Sequence, residues 1–257
     1  MANYKRLIAF IFFCSCWFNA HAADWPYGTI HCFGDSHCGH FFTQHQTWAQ
    51  FCSQPTTPTN HEDPEYCYEE NAYKLPTLEN SVDVPFAIHW MGPRTMYRVG
   101  RDGMNITNYG VKPKDIALFA FGEIDVRMHI IKQIDLNRRD LEEVLQSLAE
   151  KYVHRIFENQ LYFAIKCVVL GVFPACGILD PQTNPLPRRI EITKKLNQCL
   201  SNECNKKGVL FVPFPDFLCI PDGSFNFEYS RDWGHLYPEF NYLIKNHLLS
   251  FLNIGFF

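Results

Sequence analysis

Three residues in this 257-residue chain have the types and order that acyl transfer by serine requires. Ser36 closes a short apolar run, Ile30-His31-Cys32-Phe33-Gly34-Asp35. His235 follows Asp232 by three residues, just ahead of the last apolar-periodic segment. A serine nucleophile needs an imidazole to take its proton, a carboxylate to fix that imidazole, and donors aimed at the oxyanion. Ser36, His235 and Asp232 could fill the first three roles, and backbone N–H groups at Ser36 and Gly92 could fill the fourth. Gly-Asp-Ser is a common tripeptide whose serine usually caps a helix or turn, and Asp35 reads as the residue that holds the turn. The elements around these residues therefore have to carry the argument.

Five segments read as strands: Thr29–Phe33, Pro85–Trp90, Asp115–Phe121, Ala164–Phe173 and Val209–Pro213. The third is a continuous apolar run, the pattern of a strand buried on both faces. Helical periodicity is clear from Asp140 to Asn159, with Leu141, Val144, Leu145, Leu148, Tyr152 and Ile156 on one stripe and Asp140 as the cap. It recurs over Arg188–Lys206 and Glu239–Leu252; Phe41–Phe51 is loosely helical, and Met96–Gly110 reads as a short helix or loop. Residues 53–83, rich in Pro, Thr, Asn and acids, read as a long surface insertion. Strands alternating with helices predict an α/β fold with about five parallel strands covered on both faces. In such a sheet all strand ends point the same way. Gly34-Asp35-Ser36, Gly92-Pro93-Arg94 and Gly122-Glu123-Ile124-Asp125 then share one crevice, which His235 can reach from the last loop.

These blocks, in this order, resemble those of the SGNH, or GDSL-like, hydrolase family: Gly34-Asp35-Ser36, Gly92, Gly122-x-x-Asp125 and Asp232-x-x-His235. The likeness spans about residues 28–252. It implies a three-layer α/β/α sandwich, flavodoxin-like, acting as an esterase, lipase or carbohydrate deacetylase. It also implies Ser36 as nucleophile, His235 as general base, Asp232 as its orienting carboxylate, and the Ser36 and Gly92 N–H groups as oxyanion donors. Two positions depart from the family pattern. His37 stands where the first block usually has Leu. Ile124 stands where the third block has an Asn whose amide is an oxyanion donor, and Glu123 beside it is acceptor-only when ionised. Arg127 is the nearest charged replacement and Arg94 another; Glu123 or Asp125 could pair with one of them and hold it in place.

The remaining features bound the reading. Residues 1–22 have the layout of a secretory signal peptide: basic Lys5-Arg6, an apolar run from Leu7 to Phe18, and Ala20-His21-Ala22. Residues 23–257 then form a single exported domain, secreted or periplasmic, or one anchored by an uncleaved leader. No further long apolar run occurs, so no membrane insertion is expected after leader removal. A net charge of −4 without a basic block argues against a nucleic-acid partner. Of eleven cysteines, two lie in the leader, and the odd remainder leaves at least one unpaired; Cys52 with Cys67 is a plausible local closure. His31, His37, His40 and His45 lack the carboxylates of a recognisable metal spacing, so no metal is expected. Neither dinucleotide nor P-loop glycine patterns occur, so no cofactor is expected. Glu123 and Asp125 as a glycosidase pair is the weaker alternative chemistry. The expected substrate is a small-molecule or carbohydrate ester. The competing expectation is a catalytically weak or inactive domain of the same fold that binds a glycan or a protein.

Overall fold

The structure, a computed structural model, describes residues 25–43, 66–76, 81–92, 94–177, 184–230 and 234–252. The leader, Cys52, His45 and Asp232 lie outside these residues, as does most of the loosely helical 41–51 stretch.

Six strands form the central sheet among the described residues: β1 (Ile30–Gly34), β2 (Tyr66–Pro76), β3 (Ser81–Met91), β4 (Ile116–Ala120), β5 (Lys166–Leu170) and β6 (Leu210–Val212). Their order is β2-β3-β1-β4-β5-β6. Only the β2–β3 pair is antiparallel. Six helices accompany them: α1 (Ser36–Phe42), α2 (Met96–Asp102), α3 (Ile130–Asp135), α4 (Leu141–Phe163), α5 (Leu186–Lys207) and α6 (Asn241–Phe251).

Alternation along the strands divides the core in two. Phe33, Ala117, Phe119 and Val169 face Met96, Tyr152, Ile156, Leu196 and Leu200 from α2, α4 and α5. Cys32, Ile88, Leu118 and Leu170 face Phe41, Phe42, Ile244 and Leu248 from α1 and α6. The result is the three-layer α/β/α sandwich, flavodoxin-like in its parallel core, that the sequence predicts. Asp140 caps α4 by accepting the Glu143 N–H at 3.0 Å. No helix of the described residues is long and apolar enough to cross a membrane.

One expectation needs correction. The 53–83 stretch is not loop throughout, because β2 lies within it and β3 begins at Ser81, pairing as a long antiparallel ribbon. The sheet therefore has six strands rather than five. β2 is an edge strand whose outward side chains include Glu70 and Lys74, the charged dressing that keeps an open edge from pairing further. The ribbon also braces α1. Asn71 Nδ2 donates to the Phe42 carbonyl at 3.0 Å, Thr43 Oγ1 donates to Glu69, and Asn241 Nδ2 from α6 donates to the Thr43 carbonyl at 2.6 Å. Cys32, Cys38, Cys167, Cys199, Cys204 and Cys219 are free thiols, and burial pushes Cys167 and Cys204 up to about 12.

Candidate active site

Strand register brings the predicted residues to one level. Gly34, the last residue of β1, pairs with Trp90 of β3 and Ala120 of β4. Ser36, Gly92 and Gly122 each stand two residues beyond that row, just past the ends of three neighbouring strands. Gly34 is required by close approach, since a β-carbon there would overlap the Ala120 carbonyl oxygen and the Cys38 side chain. Gly92 turns the chain at a left-handed φ of 59°. The Arg94 N–H closes that turn on the Met91 carbonyl at 3.3 Å.

Ser36 opens α1. Asp35 is the N-cap, its Oδ1 accepting the His37 N–H at 3.0 Å. Burial lifts the Asp35 carboxyl to about 6, against the pull of His37. The residues after His235 are paired back on the chain before it, by a β-bridge between Ser230 and Leu236 and by the Tyr237 N–H on the Tyr229 carbonyl at 2.9 Å. Leu236 is fully buried and anchors it. The consequence is a contact across almost the whole chain: His235 Nε2 lies 3.0 Å from Ser36 Oγ. That is the separation at which an imidazole can accept the hydroxyl proton. His37 and His40 of α1 pack on the His235 ring, with centroids 4.8 and 4.2 Å away.

A second network lies beside the serine. His37 Nε2 stands 3.5 Å from Glu123 Oε2, and Arg127 Nε donates to Glu123 Oε1 at 2.8 Å. Burial alone would raise the Glu123 carboxyl, but the bond and charge of His37 and then Arg127 outweigh it and hold the group at about 2. Burial opposes a proton on His37, yet Glu123 and Asp35 together raise it above the ordinary imidazole range. Glu123 thus serves as an ionised carboxylate held between the His37 ring and the Arg127 guanidinium. Its partnership with Arg127 follows from local geometry. Residues Asp125–His129 form a π-helical turn, and Glu123 and Arg127 stand four apart on the same winding. Arg127 keeps about a third of its side chain exposed.

Asp125 turns the other way. It is fully buried, and its carboxyl accepts the Met96 and Tyr97 N–H groups at 2.8 and 3.2 Å, holding the start of α2. Burial raises it to about 7 despite those bonds. Glu123, and not Asp125, is therefore the carboxylate that holds Arg127. The two acids belong to separate networks, which leaves the glycosidase pairing without support. Ile124, in the place of the family's amide donor, starts the π-turn and offers no polar group.

The histidines considered for metal separate likewise. His31 joins a buried chain on the sheet, with its Nδ1 2.9 Å from His89 Nε2 and its Nε2 3.3 Å from Asp115 Oδ2. His37 and His40 flank His235 instead. No group of three or more potential metal ligands occurs among the described residues. Sequence reasoning missed both the Asp115–His31–His89 chain and the His37–Glu123 contact. In the first, the cue was a histidine at an inward position of each of two strands, with an aspartate just ahead of a third.

No protein-family model and no curated protein matches the chain. Solved structures do. A candidate acylhydrolase from Bacteroides fragilis matches with a TM-score of 0.54 at 14% identity, covering 94% of each chain. A GDSL-like lipase from Bacteroides thetaiotaomicron matches with a TM-score of 0.50 at 14% identity, covering 97% of this chain and 98% of that one. The chain has the SGNH/GDSL-like hydrolase fold. Within that fold the block order of the sequence falls on the carboxyl ends of β1, β3 and β4 and on the loop before α6, where open α/β sheets bind ligands.

Proposed function

We propose that this protein is an exported serine hydrolase that cleaves a carboxylic ester through an acyl-enzyme. The observation that carries this reading is the 3.0 Å contact between Ser36 Oγ and His235 Nε2, made by residues 199 positions apart. The similarity in fold to an acylhydrolase and a lipase supports it.

In this reading His235 takes the Ser36 proton as the oxygen attacks the ester carbonyl carbon. Asp232 orients the imidazole. The Ser36 and Gly92 N–H groups receive the negative charge that develops on the carbonyl oxygen. His235 then gives its proton to the departing alcohol, and a water repeats the cycle on the acyl-serine. Arg127, held by Glu123, replaces the amide that Ile124 cannot supply. Its guanidinium is a stronger donor than an amide and carries full charge. Asp35 sets the turn that presents Ser36, and Asp125 sets the loop after β3 through α2. No cofactor or metal enters the cycle. The proposed substrate is an O-acyl or O-acetyl group on a carbohydrate.

The test is hydrolysis of a panel of acetyl esters, aryl acetates and acetylated oligosaccharides, by the wild type and by Ser36→Ala. Turnover lost in the variant supports the reading. A folded wild type inert to every ester would favour the alternative, a glycan- or protein-binding domain whose oxyanion site has degraded around Ile124.

A further inference from the structure

The start of α5 makes tertiary hydrogen bonds in two directions that matter to the site. Asn184, just ahead of the helix, is 3% exposed. Its Nδ2 donates to the Val126 and Arg127 carbonyls at 3.2 and 2.9 Å, both on the π-helical turn that carries Arg127. Arg189, in the first helical turn, is 2% exposed. Its Nη1 and Nη2 donate to the successive carbonyls of Cys176 and Gly177 at 3.1 and 2.8 Å. That loop lies behind the catalytic histidine: a β-carbon on Gly234, the residue before His235, would stand 3.6 Å from Cys176 Sγ.

Neither placement is cheap. A π-turn gives up regular i→i+4 pairing, and a side chain that fills its carbonyls fixes a winding that would otherwise relax to α. Arg189 is a buried cation in the first turn of a long helix, where the dipole disfavours positive charge. Among the described residues no carboxylate lies within ion-pair distance of it. Such groups persist where surrounding structure over-determines them, and they concentrate at functional sites.

We infer that Asn184 and Arg189 are positioning residues that brace the two halves of the active site against one helix: Asn184 sets the Arg127 turn, and Arg189 sets the loop behind His235. Neither touches Ser36. The inference rests on the ester-hydrolase reading for its catalytic consequence, and on geometry alone for the placement of Arg127.

The experiment is a double-mutant cycle of Asn184→Ala with Arg127→Gln, read in two ways. The first readout is solvent exchange of the Arg127 Nε–H by NMR, its resonance identified by its loss in R127Q. Asn184→Ala should speed that exchange about tenfold or more, because the turn no longer holds the guanidinium on Glu123. The second is ester turnover. Asn184→Ala should lower kcat about tenfold at nearly unchanged KM, and the loss should vanish in the R127Q background, since a misplaced group that is already absent costs nothing further. Unchanged exchange, or an equal loss of kcat in both backgrounds, would overturn the inference. Asn184→Ser retains one donor and should fall between wild type and alanine in both readouts; it serves if the alanine variant fails to fold. A wild type inert to esters would remove the hydrolase reading, and the exchange measurement would still decide whether Asn184 positions Arg127.

Discussion

Two sets of histidines in this molecule look alike on paper and differ in what surrounds them. Asp115, His31 and His89 form a hydrogen-bonded carboxylate–imidazole–imidazole chain, with His89 stacked on Phe33 at 4.4 Å. Ser36 and His235 form the other contact, flanked by His37 and His40. The first joins two imidazoles and a carboxylate in sequence. It lies inside the sheet, with His89 fully buried and no serine hydroxyl among these three groups. The second sits where strands end, on a helix start and a loop, and includes a serine hydroxyl. An Asp–His hydrogen bond is therefore not the mark of a site. The strand end, the serine and the donors around it are.

Substitutions in the two sets should separate accordingly. The largest effect belongs to His235→Ala, which should reduce turnover on the order of 10⁴-fold or more while leaving the melting temperature nearly unchanged. Arg127→Gln should follow, with kcat lowered on the order of a hundred- to a thousandfold at constant KM, as for loss of one oxyanion donor. An unchanged rate would remove Arg127 from the site and leave the two backbone donors alone. Glu123→Ala should act on both stability and rate. It takes away the carboxylate that raises His37 and holds Arg127, leaving both without that partner, and urea unfolding should show a loss of about 2–3 kcal/mol, kept below the range for wholly buried pairs by the partial exposure of Arg127.

The smallest catalytic effect belongs to the sheet set. His31→Gln should cost about 1–3 kcal/mol of stability and leave kcat within twofold of wild type. It should also change the pH dependence of stability. Burial lowers the folded-state pKa of His31 below its ordinary 6.5. Its contribution is therefore fully present above the unfolded value and is lost as pH falls through and below it. Wild type should lose stability relative to the variant on acidification from neutral pH, and parallel stability curves would contradict this account of His31.

How much of this was legible in the sequence follows from burial. β4 is covered on both faces, so its apolar run announces it. β2 escaped notice because it is an edge strand, half polar, within a stretch rich in acids and Pro. Ser36, Gly92 and Asp125 were singled out through the glycines and polar residues that end the strands, and the structure places them beyond β1, β3 and β4. The spacing of Asp232 and His235 ahead of a periodic helix marked the last block. The Glu123–Arg127 pair was legible as an i,i+4 spacing, although its π-helical setting was not, because a π-turn has no residue pattern of its own. Asn184 and Arg189 could not be found at all. Their roles depend on backbone carbonyls distant in the chain, and a carbonyl leaves no trace in residue type.

The central claim is that Ser36 is the activated nucleophile, and covalent labelling with a fluorophosphonate tests it most directly. Intact-mass and peptide analysis of the wild type should show one adduct, on Ser36, absent from Ser36→Ala and formed at the wild-type rate in His31→Gln. A folded wild type that takes up no label, or takes it up on another residue, would contradict the account.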